Sequence, residues 1–224
     1  RYNQQNTELV NINDMRTERQ SLKFSKMQAT GDDYIFIENF DNSITCPESL
    51  CISLCDRHLG IGGFGIVLIE RSDIADAKMR IFNRDGSEGK MAGNCIRCTA
   101  KYLYDNGFVS GDNITIETAS GVKRLELYTS GGKVTLASVD MGKARFETKE
   151  LPSTINADRL IDYPAMIGDK IYDITCVNVG NPHCVLFCDS IESIDIETIG
   201  PKFENAPIFP ERINTEFVRV VNKN

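Results

Sequence analysis

The run Asn83-Arg84-Asp85-Gly86-Ser87-Glu88-Gly89-Lys90-Met91-Ala92-Gly93-Asn94-Cys95-Ile96-Arg97-Cys98 decides how the chain is read. It leaves a strand, Met79-Arg80-Ile81-Phe82, in which apolar and polar residues alternate with the period of two that a half-buried strand needs. Asp85-Gly86 is a strong turn pair. A helix is expected next. Asn94 is a good N-cap residue, Ile96, Thr99, Ala100 and Leu103 recur at helical spacing, and Asn106-Gly107 supplies the stop. A strand that feeds a Gly-Asn turn and then a helix leaves backbone N–H groups free at the helix start. With the helix dipole, those groups favour an anion such as a carboxylate or phosphate. The same residues also make an ordinary capped helix entry, and the pattern alone does not separate the two readings.

Around this run, 224 residues are enough for one large domain or two small ones. The composition, 41% hydrophobic and 25% charged, is that of a soluble globular protein. A net charge of −7 argues against a nucleic-acid surface and leaves a small zwitterionic substrate open. No apolar run is long enough to span a bilayer, and no secretory signal is expected ahead of the body of the chain. Eight cysteines spread over apolar segments read as small core residues in a reducing, cytoplasmic setting. Cys95 and Cys98 with Cys184, Cys188 and His183 could instead form a divided zinc site. Structural zinc ligands gather on short polar knuckles, whereas Cys184–Cys188 lies in a strand-like run, so no metal is expected.

Residues 1–21 are polar and without a clear period, so a tail or a short surface helix is expected there. Strands are expected at Ser21–Met27 and Tyr34–Ile37, a helix at Glu48–Asp56 opened by Pro47, and a strand at Ile66–Ile69. The segment between them, Arg57-His58-Leu59-Gly60-Ile61-Gly62-Gly63-Phe64-Gly65, lets backbone approach backbone or ligand closely. It is not a dinucleotide fingerprint, because a strand follows where a helix should. After the helix, short strands are expected near 114–118, 122–127 and 134–139, with a seam between two halves at about 107–120. A polar connection spans 149–169. In Val177-Asn178-Val179-Gly180-Asn181-Pro182-His183-Cys184-Val185-Leu186-Phe187 the shape is strand, Gly-Asn-Pro-His turn, strand. A helix at Ile194–Phe203 and a strand at Ile213–Val221 close the reading.

Four stretches in order, Phe82-Asn83-Arg84-Asp85-Gly86-Ser87-Glu88, Met91-x-Gly93-Asn94-x-x-Arg97-Cys98, Gly180-Asn181-Pro182-His183-Cys184 and Phe209-Pro210-Glu211-Arg212-Ile213-Asn214, resemble the diaminopimelate epimerase family from about Leu22 onward. The resemblance implies an α/β (α+β) fold of two similar lobes, each a curved mixed sheet wrapped around a central helix, with the substrate in the cleft between them. The first lobe would span 22–119. The second would span 120–224 and be incomplete, ending before its central helix, so that Val179, Val185 and Phe217 face a hollow or solvent. It implies inversion of an amino-acid α-carbon, interconverting LL- and meso-diaminopimelate in lysine and peptidoglycan-precursor synthesis. No pyridoxal phosphate, other cofactor or metal takes part, and there is no nucleic-acid or membrane partner. A homodimer is an allowed assembly. One thiolate removes the α-proton and a second thiol returns one, each at a helix start that lowers its pKa. By the same resemblance Asp32, Asn83, Gly93, Asn94, Asn181 and Asn214 stand at substrate-contacting positions, and His183 where a histidine tunes the thiols.

The departures are as specific as the matches. Ala92 stands where the family has its first catalytic cysteine, Asp32 where it has Asn, and Phe64 where it has Asp. The second cysteine belongs to a segment beyond Asn214 that is expected to lie past the end of this sequence. The alternatives to an active epimerase are an inert member that only binds a ligand or partner, and a metal-binding protein.

Overall fold

The computed structural model describes residues 9–12 and 20–222, in two compact units that meet in sequence between Met141 and Gly142. Most of the tail expected at 1–21 lies outside the described residues. Its described part is a strand, β1 (Leu9–Ile12), paired antiparallel with β2 (Gln20–Lys23), rather than a tail or helix.

In the first unit follow β3 (Ser25–Ala29), β4 (Asp32–Glu38), α1 (Pro47–Cys55), β5 (Gly65–Glu70), β6 (Ala77–Asn83), the two-residue β7 (Glu88–Gly89), α2 (Gly93–Asp105), β8 (Asn113–Thr118), β9 (Gly121–Ser130) and β10 (Lys133–Val139). The main sheet has the order β10-β9-β8-β6-β5-β4-β3, with β7 on β6, and it is mixed: β4 with β5 and β6 with β8 are parallel, the other pairs antiparallel. Strand period sorts the side chains to two faces. Phe36, Val67, Ile69, Met79 and Ile81 pack with Ile96, Ala100 and Leu103 of α2, while Ile35, Ile37, Ile66, Leu68 and Phe82 pack with Cys51, Leu54 and Cys55 of α1. Helix α2 touches β3 and β10, the two ends of the sheet order, so the sheet curls around it. Seven of its thirteen residues are buried, more than the stripe a surface helix hides.

The seam expected at 107–120 is corrected. β9 and β10 continue the first sheet from β8, and Leu125, Leu127 and Val134 are buried in the core around α2. Glycine-rich turns gave the segment the look of a linker, but its alternating apolar residues needed the α2 face.

The second unit contains β11 (Tyr163–Ile167), β12 (Lys170–Asn178), β13 (Pro182–Phe187), α3 (Ile196–Glu204) and β14 (Asn214–Val218), in the order β11-β12-β13-β14 with β13 and β14 parallel. The connection at 149–169 is therefore not wholly irregular, since β11 lies within it. The Asp195 side chain accepts from the Thr198 N–H at 3.2 Å and starts α3. Phe203 of α3 and Phe209 fill the core with Leu160, Ile174, Cys176 and Cys184. This corrects the expected hollow for Phe217, whose ring packs edge-on against Phe203 at 5.6 Å between centroids. Val179 and Val185 are half-buried. The opposite face of the sheet leaves Met166, Ile171 and Phe187 exposed.

Candidate active site

In the first unit the geometry is set by the start of α2. Ala92 is the N-cap in extended conformation, and no side chain caps the helix. The Ile96 N–H reaches the Ala92 carbonyl at 3.1 Å, so the N–H groups of Gly93, Asn94 and Cys95 precede the first intrahelical bond. Asn94 is thus not the cap expected from sequence. It lies inside the first turn, and its side chain is drawn elsewhere. Its Nδ2 donates to Asp32 Oδ2 at 2.8 Å, while its Oδ1 accepts from Thr30 Oγ1 at 2.9 Å and from the Arg97 guanidinium. A cap bond would have left the Asp32 carboxylate and the Arg97 charge without this shared partner. A Cβ on Gly93 would meet only Arg97 Nη1 at 3.5 Å, an ordinary contact, so packing within the chain does not demand glycine there.

Ala92 is half-buried and offers no titratable group. The nearest thiol in sequence, Cys95, is fully buried, and that burial pushes its pKa well up. Tyr34 shares a hydrogen bond with it, and desolvation raises the phenol too. Cys98, one turn on, is pushed up to about 11 by burial, against the nearby Arg97 and Lys101 charges. Neither thiol is accessible in the way a reactive cysteine is. Asn83 ends β6, where its N–H reaches the Ser87 carbonyl at 2.8 Å and its Nδ2 the Ser87 Oγ at 3.1 Å. Gly86 in the same turn has φ +86°, which favours glycine. From below, the buried Cys51 thiol donates to the Asn83 carbonyl at 3.0 Å. Phe64 is exposed, with the Arg57 guanidinium 5.9 Å from its ring centre.

In the second unit, the turn is Val179 to Asn181, with Gly180 at φ +111°, and β13 starts at Pro182. His183 therefore stands on a strand rather than on the turn. It pairs with Val177 of β12 and Asn214 of β14. His183 Nδ1 lies 2.6 Å from Glu216 Oε1, and Nε2 lies 2.9 Å from Asn181 Oδ1. Asn214 Nδ2 donates to the Pro182 carbonyl at 2.9 Å. Asn214 and Glu216 line an open cavity of about 580 Å³ with Glu204 and Arg212.

Within the units, then, the structure brings Asp32, Gly93 and Asn94 together beside Ala92, and Asn181 and His183 together beside Asn214. Sequence reading missed Thr30, Tyr34 and Glu216, and quoted Arg97 as a motif residue without giving it a role. Arg97 was legible in principle, being three residues past Asn94 on a helix face. Glu216 was not, since only strand register carries it to His183. Among the described residues no group of three or more His, Cys, Asp or Glu is placed to hold a metal, and no helix is long and apolar enough to cross a membrane.

A mixed sheet curled around one helix is the architecture of a class of solved racemase- and epimerase-like proteins. A hydroxyproline epimerase from Agrobacterium vitis matches 80% of this chain and 53% of its own at a TM-score of 0.55 and 12% identity. A phenazine biosynthesis protein of the PhzF family from Bacillus anthracis matches 90% of this chain and 67% of its own at a TM-score of 0.55 and 14% identity. At such identities the likeness is one of fold. Sequence narrows it: the diaminopimelate epimerase model matches residues 24–147 and 175–224. The diaminopimelate epimerase of Desulfovibrio desulfuricans is 43% identical over 208 residues, 90% of this chain and 72% of the relative. That of Agathobacter rectalis is 42% identical over 211 residues, 91% of this chain and 74% of the relative. The chain belongs to the diaminopimelate epimerase family, whose members are isomerases.

Proposed function

We propose that the chain takes diaminopimelate as its ligand and that its reaction is the family's inversion at the α-carbon, without cofactor or metal. The observation that carries this reading is the uncapped start of α2 at Gly93 in a chain of this family. The N–H groups of Gly93, Asn94 and Cys95 would hold a substrate carboxylate, and would hold it harder as negative charge develops at the adjacent carbon. Glycine at 93 lets that carboxylate approach the backbone closely. The carboxamides of Asn83, Asn181 and Asn214 can both donate and accept, which suits a ligand carrying ammonium and carboxylate groups together. Asp32 sets a negative charge beside the helix start and opposes a carboxylate that settles there. His183, by the same family reading, is the histidine that tunes the thiols. The same reading places the chain in the cytoplasm, in lysine and peptidoglycan-precursor synthesis.

A second reading, binding without turnover, is favoured by one specific observation. Ala92 has no proton to give or take, and Cys95 is buried with its thiol held protonated. Incubation with LL-diaminopimelate in deuterium oxide separates the two. Meso product with deuterium at the α-carbon supports the first reading. Saturable shifts in the protein spectrum with the α-proton retained support the second. No binding at millimolar ligand overturns both.

A further inference from the structure

His183 is engaged through both ring nitrogens, and its two partners differ in kind. Glu216 Oε1, 2.6 Å from Nδ1, belongs to a carboxylate, which when ionised only accepts hydrogen bonds. Asn181 Oδ1 lies 2.9 Å from Nε2, and the carboxamide can turn over to present its NH2 to the same nitrogen. Strand register fixes the first contact. In the parallel ladder His183 pairs with Asn214 and Val185 with Glu216, so Glu216 sits two residues along from Asn214 and on the same face as His183. The other carboxylate oxygen, Oε2, is buried and has no partner among the described residues, so the hydrogen bonding that Glu216 offers them goes to the histidine.

We infer that Glu216 is a positioning residue: it keeps the hydrogen of the neutral His183 ring on Nδ1 and so leaves Nε2 as the nitrogen that faces Asn181. Which nitrogen of a histidine carries the hydrogen is set by the bond the other one makes. On the neutral ring with its hydrogen on Nδ1, the Asn181 carboxamide turns over, so that Nε2 accepts from its NH2 and its oxygen points away from the ring. On the imidazolium both N–H groups donate, one to Glu216 Oε1 and one to Asn181 Oδ1. Glu216 thereby decides which end of the Asn181 carboxamide is available to a ligand. This builds on the proposal that Asn181 and His183 serve the substrate, but the placement of the hydrogen does not depend on it.

The chain has two histidines, so a His58→Gln background leaves one ring to observe. Long-range proton–nitrogen spectra at about pH 8.5, where an ordinary imidazole is neutral, are expected to show Nδ1 as the N–H nitrogen and Nε2 as the bare one. Glu216→Leu should lose that pattern and move the hydrogen to Nε2, and Glu216→Met does the same where the leucine variant fails to fold. Glu216→Asp should keep part of the original pattern. A ring that already carries its hydrogen on Nε2 with Glu216 present overturns the inference, as does a folded Leu or Met variant that still carries it on Nδ1. The spectra are recorded without substrate. An absence of epimerisation in the deuterium experiment therefore leaves the outcome readable.

Discussion

Asn94 donates its side-chain amide to Asp32 across 2.8 Å while its carbonyl oxygen is occupied by Thr30 and Arg97. The side chain closest to the start of α2 is thus committed within the protein, and it holds a carboxylate beside the N–H groups that would draw a substrate carboxylate. Like charges about 4 Å apart repel by roughly 1–4 kcal/mol in partly solvated surroundings. Asp32→Asn is therefore expected to tighten diaminopimelate binding by about tenfold, which is roughly 1.4 kcal/mol, with the gain shrinking at high salt. Titration calorimetry at two ionic strengths checks this. Unchanged or weaker binding would show that Asp32 does not face the anionic end of the ligand.

Replacing Ala92 should matter far more for proton transfer than any change at Cys95. A thiol at the helix start benefits from the dipole, and one positioned acid or base contributes about 10²–10⁴-fold. Ala92→Cys is expected to speed α-proton exchange of bound diaminopimelate by at least about 10²-fold, measured as deuterium incorporation. Cys95→Ser should leave exchange unchanged, because the Cys95 side chain is buried against Tyr34 and not presented at the helix start. A large loss in the serine variant would identify Cys95 as a working base.

Asp33 couples the fold to pH. Partial burial raises its pKa, but hydrogen bonds from Arg57 and Lys26, with their charges, outweigh this and hold the carboxyl below the usual range. Arg57 Nη2 lies 2.7 Å and Lys26 Nζ 3.0 Å from its oxygens. A carboxyl whose folded pKa is depressed stabilises the fold above its unfolded value, about 3.9, and loses that contribution as pH falls through the folded one. Asp33→Asn should lower the melting temperature more at pH 7 than at about pH 3, below the unfolded value. A gap of equal size at both pH values would assign the effect to packing instead of charge.

Phe203 is the side chain on which the second unit depends. It is fully buried, with Tyr172 at 5.0 Å and Phe217 at 5.6 Å between ring centres. Phe203→Ala should cost about 3–5 kcal/mol. Hydrogen exchange is expected to quicken across β12, β13 and β14 and to stay slow in β6 and α2, since the two cores are built from separate clusters. Equal acceleration in both units would mean that they unfold as one.

Much of this molecule was legible in the sequence because it rests on local pattern. Alternation placed β6, a short apolar run placed β5, helical spacing placed α2, Pro47 opened α1, and the Asn106-Gly107 stop fell where α2 ends. The four spaced motifs pointed to the family because their order does not depend on how the chain packs. What required the tertiary structure was every pairing made by residues far apart in sequence. Asn94 reads locally as a cap, but Asp32, 62 residues away, takes its amide. Strands at 121–139 read as the start of a new lobe, yet Leu125 and Leu127 find their cover on α2. Glu216 meets His183 across 33 residues only because two parallel strands align in one register. Local propensity is a matter of tenths of a kcal/mol per residue, whereas a satisfied buried charge or apolar face is worth one to several. Where the two compete, the distant partner decides.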